Sequence, residues 1–86
     1  MTPNAIRAVV FRALGAVAPE ADLDSLQPEV SFREQLDLDS MDFLNFVIGL
    51  HKDLHVDIPE KDYPKLMTLK GCIEYLTPRQ NAEVEK

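Results

Sequence analysis

Leu36-Asp37-Leu38-Asp39-Ser40-Met41 puts one serine at the mouth of a strongly apolar stretch, and the rest of the chain is read outward from it. Asp39 has the chemistry of a helix N-cap, Ser40 falls at the first helical position, and Asp42 adds a negative charge where the helix dipole favours one. The N–H groups of a first helical turn lack intrahelical partners, so a phosphate ester on Ser40 would be favoured there. Locally, two readings stand side by side: a plain cap with a bystander serine, or an attachment point.

Downstream, the spacing predicts a helix from about Ser40 to Leu54. At roughly 100° per residue its apolar side chains divide into two groups. Phe43, Phe46, Val47, Leu50 and Leu54 form a broad face for the core, whereas Met41, Leu44 and Ile48 fall nearly opposite. Either this second group is covered by the preceding loop or the later segment, or it is an exposed patch beside Ser40 for other proteins.

Upstream, Thr2 before Pro3 starts a first helix. Its stripe of Ile6, Val9, Val10, Ala13, Leu14 and Val17 is a core face, Arg7 and Arg12 lie on the polar side, and Gly15 with Pro19 supplies a stop. Ala18 to Asp37 is too long for a tight turn. Leu23, Leu26, Val30, Phe32 and Leu36 let it lie across the bundle. Ser31-Phe32-Arg33-Glu34 has capping-box spacing for a short helical turn, with Phe32 as the anchor.

Beyond Leu54, Pro59 and Pro64 permit only a short, irregular helix, in what reads as the least rigid part of the chain. Thr68 caps a final helix carrying Leu69, Cys72, Ile73 and Leu76, with an end expected near Thr77-Pro78. Gly71 within it costs about 1 kcal/mol in propensity and points to a close helix approach. The expected division is a helical bundle over 1–77 and a polar, flexible tail over 78–86. With no strand pattern and no repeat, the fold class is all-α, a small four-helix bundle with a long first loop and a short third helix.

Length and charge exclude several classes. The 86 residues fit one core, and no apolar run is long enough to span a bilayer. A formal net charge of -6 disfavours nucleic acid and anionic membranes. The acidic residues crowd between Glu20 and Asp62, opposed there only by Arg33, Lys52 and Lys61, which favours partners with basic patches. The amino terminus lacks signal-peptide features and Cys72 is a lone cysteine, so a cytoplasmic location is expected. Ser40 has no nucleophile-elbow setting, and His51 and His55 read as solvated helix residues, which argues against a hydrolase. A calcium loop beginning at Asp37 would place Asp42 and Ile48 where glycine and glutamate are needed, and one cysteine with two histidines is no zinc set. No catalytic and no metal-binding residues are expected.

Ser31-Phe32-Arg33-Glu34-Gln35-Leu36, Leu38-Asp39-Ser40-Met41, Asp57-Ile58-Pro59 and the closing Thr68 to Leu76 helix together resemble acyl carrier proteins over nearly the whole chain. The resemblance implies a 4'-phosphopantetheine arm on Ser40, beside Asp39, transferred from coenzyme A by a phosphopantetheinyl transferase. Acyl groups would ride on it as thioesters to enzymes of fatty acid, lipid or polyketide-type biosynthesis. The protein itself would be a monomeric carrier, not an enzyme. The helix after the serine would meet the acyl-transferring or condensing partners, giving Asp37, Met41, Asp42, Leu44, Asn45, Ile48 and Lys52 as contact residues. Phe46, Leu50, Ile58, Leu66, Cys72 and Leu76 would surround an acyl tunnel.

Departures from the family pattern are informative. Asp37 stands where glycine is usual, and the partner-facing helix carries Asn45, His51 and Lys52 where glutamate is common. These point to a specialised carrier with its own enzymes. A peptidyl or aminoacyl carrier shares the fold, serine and arm; the acidic surface and the Asp-Ser pair favour acyl cargo. An unmodified bundle that binds partners through Met41, Leu44 and Ile48 is the alternative of a different class.

Overall fold

The computed structural model describes residues 2–84. Helix α1 spans Pro3–Val17, with the Thr2 hydroxyl accepting from the Ala5 N–H at 3.2 Å, so the Thr-Pro start is used as a cap followed by a preset first turn. Its Ile6, Val9, Val10, Ala13 and Leu14 are buried, and Val17 packs half-buried against the same core.

After a 3₁₀ turn at Leu23–Ser25 comes the single-turn helix α2, Phe32–Gln35, capped by the Ser31 hydroxyl on the Arg33 N–H. Phe32 is wholly buried, meets the Phe46 ring edge-to-face at 5.4 Å, and donates its N–H to the Met67 carbonyl at 2.7 Å. The anchor role expected of it is therefore carried by both ring and backbone. Gln35 adds a brace that periodicity did not indicate. Its amide nitrogen donates to the carbonyls of Gln27 and Val30, each at 2.9 Å, while its oxygen accepts from the Gln27 N–H at 3.0 Å. One half-buried side chain thus satisfies three backbone groups of the long loop.

Helix α3 occupies Ser40–Leu54, and α4 occupies Leu69–Val84. Between them the chain forms a 3₁₀ helix at Glu60–Leu66 that contains Pro64. This is the short, irregular third helix of the bundle: a proline there is incompatible with a regular α-helical ladder. Helix α1 packs on both α3 and α4, and the 3₁₀ helix packs on α4. Phe32, Phe46, Ile6, Leu14, Leu50, Leu66 and Leu76 are the large side chains at the centre.

Gly71 explains how closely the 3₁₀ helix approaches α4. A Cβ at this position would lie 2.3 Å from the Lys65 carbonyl oxygen, so backbone occupies the space that any side chain would need. The Gly71 N–H is in turn capped by the Thr68 hydroxyl at 2.9 Å.

Two boundaries differ from the sequence expectation. The final helix does not stop at Thr77-Pro78 but continues through Pro78 to Val84. Pro78 and Glu74 are both exposed, so the break that proline makes in the helical hydrogen-bond ladder falls on the solvent side of α4. Arg79, just past it, stacks 3.8 Å above the Tyr75 ring and pairs with Asp62 at 3.7 Å, contacts that hold the helical register across the proline. Of the tail expected over 78–86, residues 85 and 86 lie outside the described residues. His55, read as a helix residue, instead follows α3 in a left-handed conformation with φ 54° and closes the helix. His51 is exposed on the last turn, and its Nδ1–H donates to the Val56 carbonyl at 2.7 Å.

Candidate functional site

The start of α3 is built by a reciprocal cap. Asp39 is extended, and its Oδ1 accepts from the Asp42 N–H at 2.8 Å, while the Asp42 carboxylate accepts from the Asp39 N–H at 3.4 Å. This capping box fixes the first turn and uses one of the open N–H groups. Those of Ser40 and Met41 have no protein acceptor among the described residues. Ser40 is exposed at this end, so its hydroxyl is accessible beside two free donors and the positive end of a fifteen-residue helix.

Asp37 gives the approach its shape. Its φ of 54° places it in the left-handed region, where glycine is at ease and aspartate is among the few side-chain-bearing residues tolerated. The turn therefore accounts for the glycine usual at this position, and Asp37 meets the same backbone demand while adding a charge. Leu38, next to it, is buried and pins the segment to the core.

A cation that sequence reasoning had not assigned to the site also reaches it. The Arg33 Nη2 donates to the Ser40 Oγ at 3.4 Å, from the neighbouring turn of α2. The signal was present in the charge pattern, since Arg33 is the nearest cation to Ser40 in an acid-rich stretch.

The exposed face of α3 begins at the same place. Met41 is 65% exposed, Leu44 37% and Ile48 39%, so the second apolar group is not covered by the loop or the later segment. Asn45 and Lys52 are exposed and share this face by their spacing, Asp37 is exposed ahead of it, and Asp42 is half-buried. Phe46 and Leu50 on the opposite face of α3 are fully buried, as are Leu66, Cys72 and Leu76 from the 3₁₀ helix and α4, and Ile58 is half-buried against the core. The six residues named for a tunnel thus belong to, or pack against, the single hydrophobic core. Burial pushes the Cys72 thiol far above its usual range, and its S–H lies 3.3 Å from the Leu66 carbonyl, so it behaves as a core side chain.

A separate groove of about 680 Å³ runs beneath the first loop, between the end of α1 and the approach to α3. Glu20, Asp22, Asp37 and Asp42 line it together with Leu26 and Leu36, which suits hydrogen-bond donors better than a phosphate. Among the described residues no group of histidine, cysteine, aspartate and glutamate is arranged to hold a metal ion, and no helix is long and apolar enough to cross a membrane.

An exposed serine at a capped helix start, on a small helical bundle with an apolar strip alongside, is an arrangement that suits a carrier domain. The family model for the phosphopantetheine attachment site matches residues 4–76. An acyl carrier protein of Lactobacillus johnsonii is 35% identical over 60 residues, covering 70% of this chain and 75% of that protein. An acyl carrier protein of Rubrobacter xylanophilus is 31% identical over 61 residues, covering 71% and 75%. The chain belongs to the acyl carrier protein family, whose members bear 4'-phosphopantetheine and act as carriers rather than catalysts, in contact with phosphopantetheinyl transferase and biosynthetic enzymes.

Proposed function

We propose that Ser40 is the residue that receives the arm and that this protein delivers acyl groups to cytoplasmic biosynthetic enzymes as a monomer. The observation that carries the reading is the exposed Ser40 hydroxyl at the capped start of α3, with the free N–H groups of Ser40 and Met41 beside it and Arg33 donating to its oxygen. These residues fit a phosphodiester, because the helix end and the guanidinium both favour an anion at that oxygen. In loading, the Ser40 hydroxyl loses its proton to the transferase, its oxygen forms a bond to the phosphorus nearer the pantetheine of coenzyme A, and the nucleotide leaves with the other phosphate. The arm supplies a terminal thiol on which acyl groups travel as thioesters.

The roles of Ser40's neighbours follow from their placement. Asp39 and Asp42 hold the turn through their reciprocal cap, leaving the serine exposed. Asp37, Met41, Asp42, Leu44, Asn45, Ile48 and Lys52 would meet partner enzymes, the apolar three by burial and the charged ones by steering. Phe46, Leu50, Ile58, Leu66, Cys72 and Leu76 are the walls between which an acyl chain would be sheltered. Asn45, His51 and Lys52 make this face less acidic than a glutamate-rich one, which supports a dedicated enzyme set.

Incubation of purified apo protein with a phosphopantetheinyl transferase and coenzyme A tests the central step. A mass gain of one phosphopantetheine on the wild type and none on Ser40→Ala supports it; gain on both, or on neither, overturns it. Extension of acyl chains on this carrier by general fatty acid synthesis enzymes at the rate of a housekeeping carrier would overturn the dedicated-enzyme reading.

A further inference from the structure

We propose that Arg33 is the counter-ion of the finished phosphodiester and so a binding residue for the prosthetic group, an inference that rests on Ser40 being the attachment site. The guanidinium is already 3.4 Å from the oxygen that would become part of the diester, so the charged phosphate oxygens would form next to it. A second observation concerns what Arg33 does not contact. Arg12, Lys65, Lys70 and Arg79 each pair with a carboxylate; Arg33, like Lys52 and Lys61 in the same acidic stretch, has no carboxylate partner among the described residues, and unlike those two lysines it reaches the Ser40 hydroxyl. Its partner is a neutral hydroxyl, the one group nearby that modification would make anionic.

The surroundings make such a cation useful. Asp37, Asp39 and Asp42 flank Ser40 in sequence, and Asp39 and Asp42 are committed to the cap, so a diester here meets like charge from the same turn that presents the serine. Arg33 is the side chain that offsets it, and its planar fork of donors matches two phosphate oxygens where a lysine would offer a point charge. Its backbone is held on both sides. Ser31 caps the Arg33 N–H, Phe32 is locked into the core, and Gln35 braces the loop behind α2, so the side chain starts from a fixed place next to α3.

The test compares apo and loaded protein for the wild type, Arg33→Gln and Arg33→Lys, with loading verified by intact mass. Two readouts are taken: the phosphorus NMR resonance of the diester, and the unfolding equilibrium in urea for each apo and loaded pair. The expected result is a displaced phosphorus resonance in Arg33→Gln and a loss of about 2–5-fold in the loaded-to-apo stability ratio, the size of an exposed ion pair, with Arg33→Lys between. Raising salt should shrink the wild-type ratio toward that of Arg33→Gln. An unchanged resonance together with an unchanged ratio in Arg33→Gln overturns the inference while leaving Ser40 as the attachment site. If Arg33→Gln alone fails to load, and its apo form keeps the wild-type unfolding midpoint, the residue serves the transferase reaction and the counter-ion role is likewise rejected. A wild-type protein that takes up no arm removes the carrier reading and this inference with it.

Discussion

The Tyr75 hydroxyl donates a 2.6 Å hydrogen bond to Oδ2 of Asp62, joining α4 to the 3₁₀ helix. Asp62 is the buried charged residue of the described core, and Lys65 at 3.6 Å and Arg79 at 3.7 Å complete its pairing. The Tyr75 hydrogen bond, with help from Lys65 and Lys61, holds the Asp62 carboxyl below its ordinary pKa, against the opposing effect of burial. Burial and the same hydrogen bond raise the Tyr75 phenol.

The directions set a pH window. A carboxyl whose folded pKa is depressed stabilises the fold above its unfolded value, and that contribution is lost as pH falls through the folded value. A phenol whose folded pKa is raised contributes fully below its unfolded value and loses that contribution as pH rises through the folded one. Thermal midpoints should therefore be flat from about pH 5 to 9 and fall on either side, the usual carboxylate and phenol ranges bounding the plateau. Asp62→Asn should flatten the acid limb and Tyr75→Phe the alkaline one; wild-type slopes in both variants would contradict the assignment.

Gly71→Ala should destabilise by about 1–2 kcal/mol in urea unfolding, because overpacking against backbone, at the upper end of the usual ~1–3 kcal/mol, exceeds the roughly 1 kcal/mol that alanine gains in helix propensity. The Lys65 carbonyl 2.3 Å from the added carbon is backbone and has no rotamer to move to. A midpoint equal to or above the wild type would show that the 3₁₀ helix yields at no cost.

At Asp37 the left-handed backbone predicts an order of stability. Asp37→Gly should match or exceed the wild type by up to about 1 kcal/mol, and Asp37→Val should lose about 1–2 kcal/mol, since a branched side chain is least compatible with positive φ. Thermal midpoints of the three proteins check it, and valine ranking above glycine would refute the conformational account.

Legibility in the sequence followed the range of each interaction. The Thr2-Pro3 start, the Asp39 cap and the Ser40–Leu54 extent of α3 were readable because caps and apolar spacing act within one or two turns. Whether Met41, Leu44 and Ile48 were covered was not, since the answer depends on the path of the long loop in space. The Gln35 brace, the Arg33 reach to Ser40 and the Tyr75 bond to Asp62 join residues five to thirteen positions apart across turns, and no period marks them. At Pro78 the local rule gave a helix end, and the tertiary anchoring of Arg79 on Tyr75 and Asp62 overrode it.

Burial of Cys72 predicts a clean thiol count. Native apo protein should react negligibly with a disulfide reagent over minutes, and loaded protein should react once, at the arm, because the core thiol is held protonated and covered. Fast labelling of native apo protein would contradict the closed core, and labelling of both forms in denaturant provides the reference.

That Ser40 bears the arm can be read from the intact mass of the protein isolated from its own cell, beside a Ser40→Ala variant expressed there. The wild type should carry the mass of one phosphopantetheine, with or without further acyl mass, and the variant should show the bare chain mass. A bare wild-type chain that a transferase with coenzyme A also leaves unchanged, or an arm still present on Ser40→Ala, would contradict it.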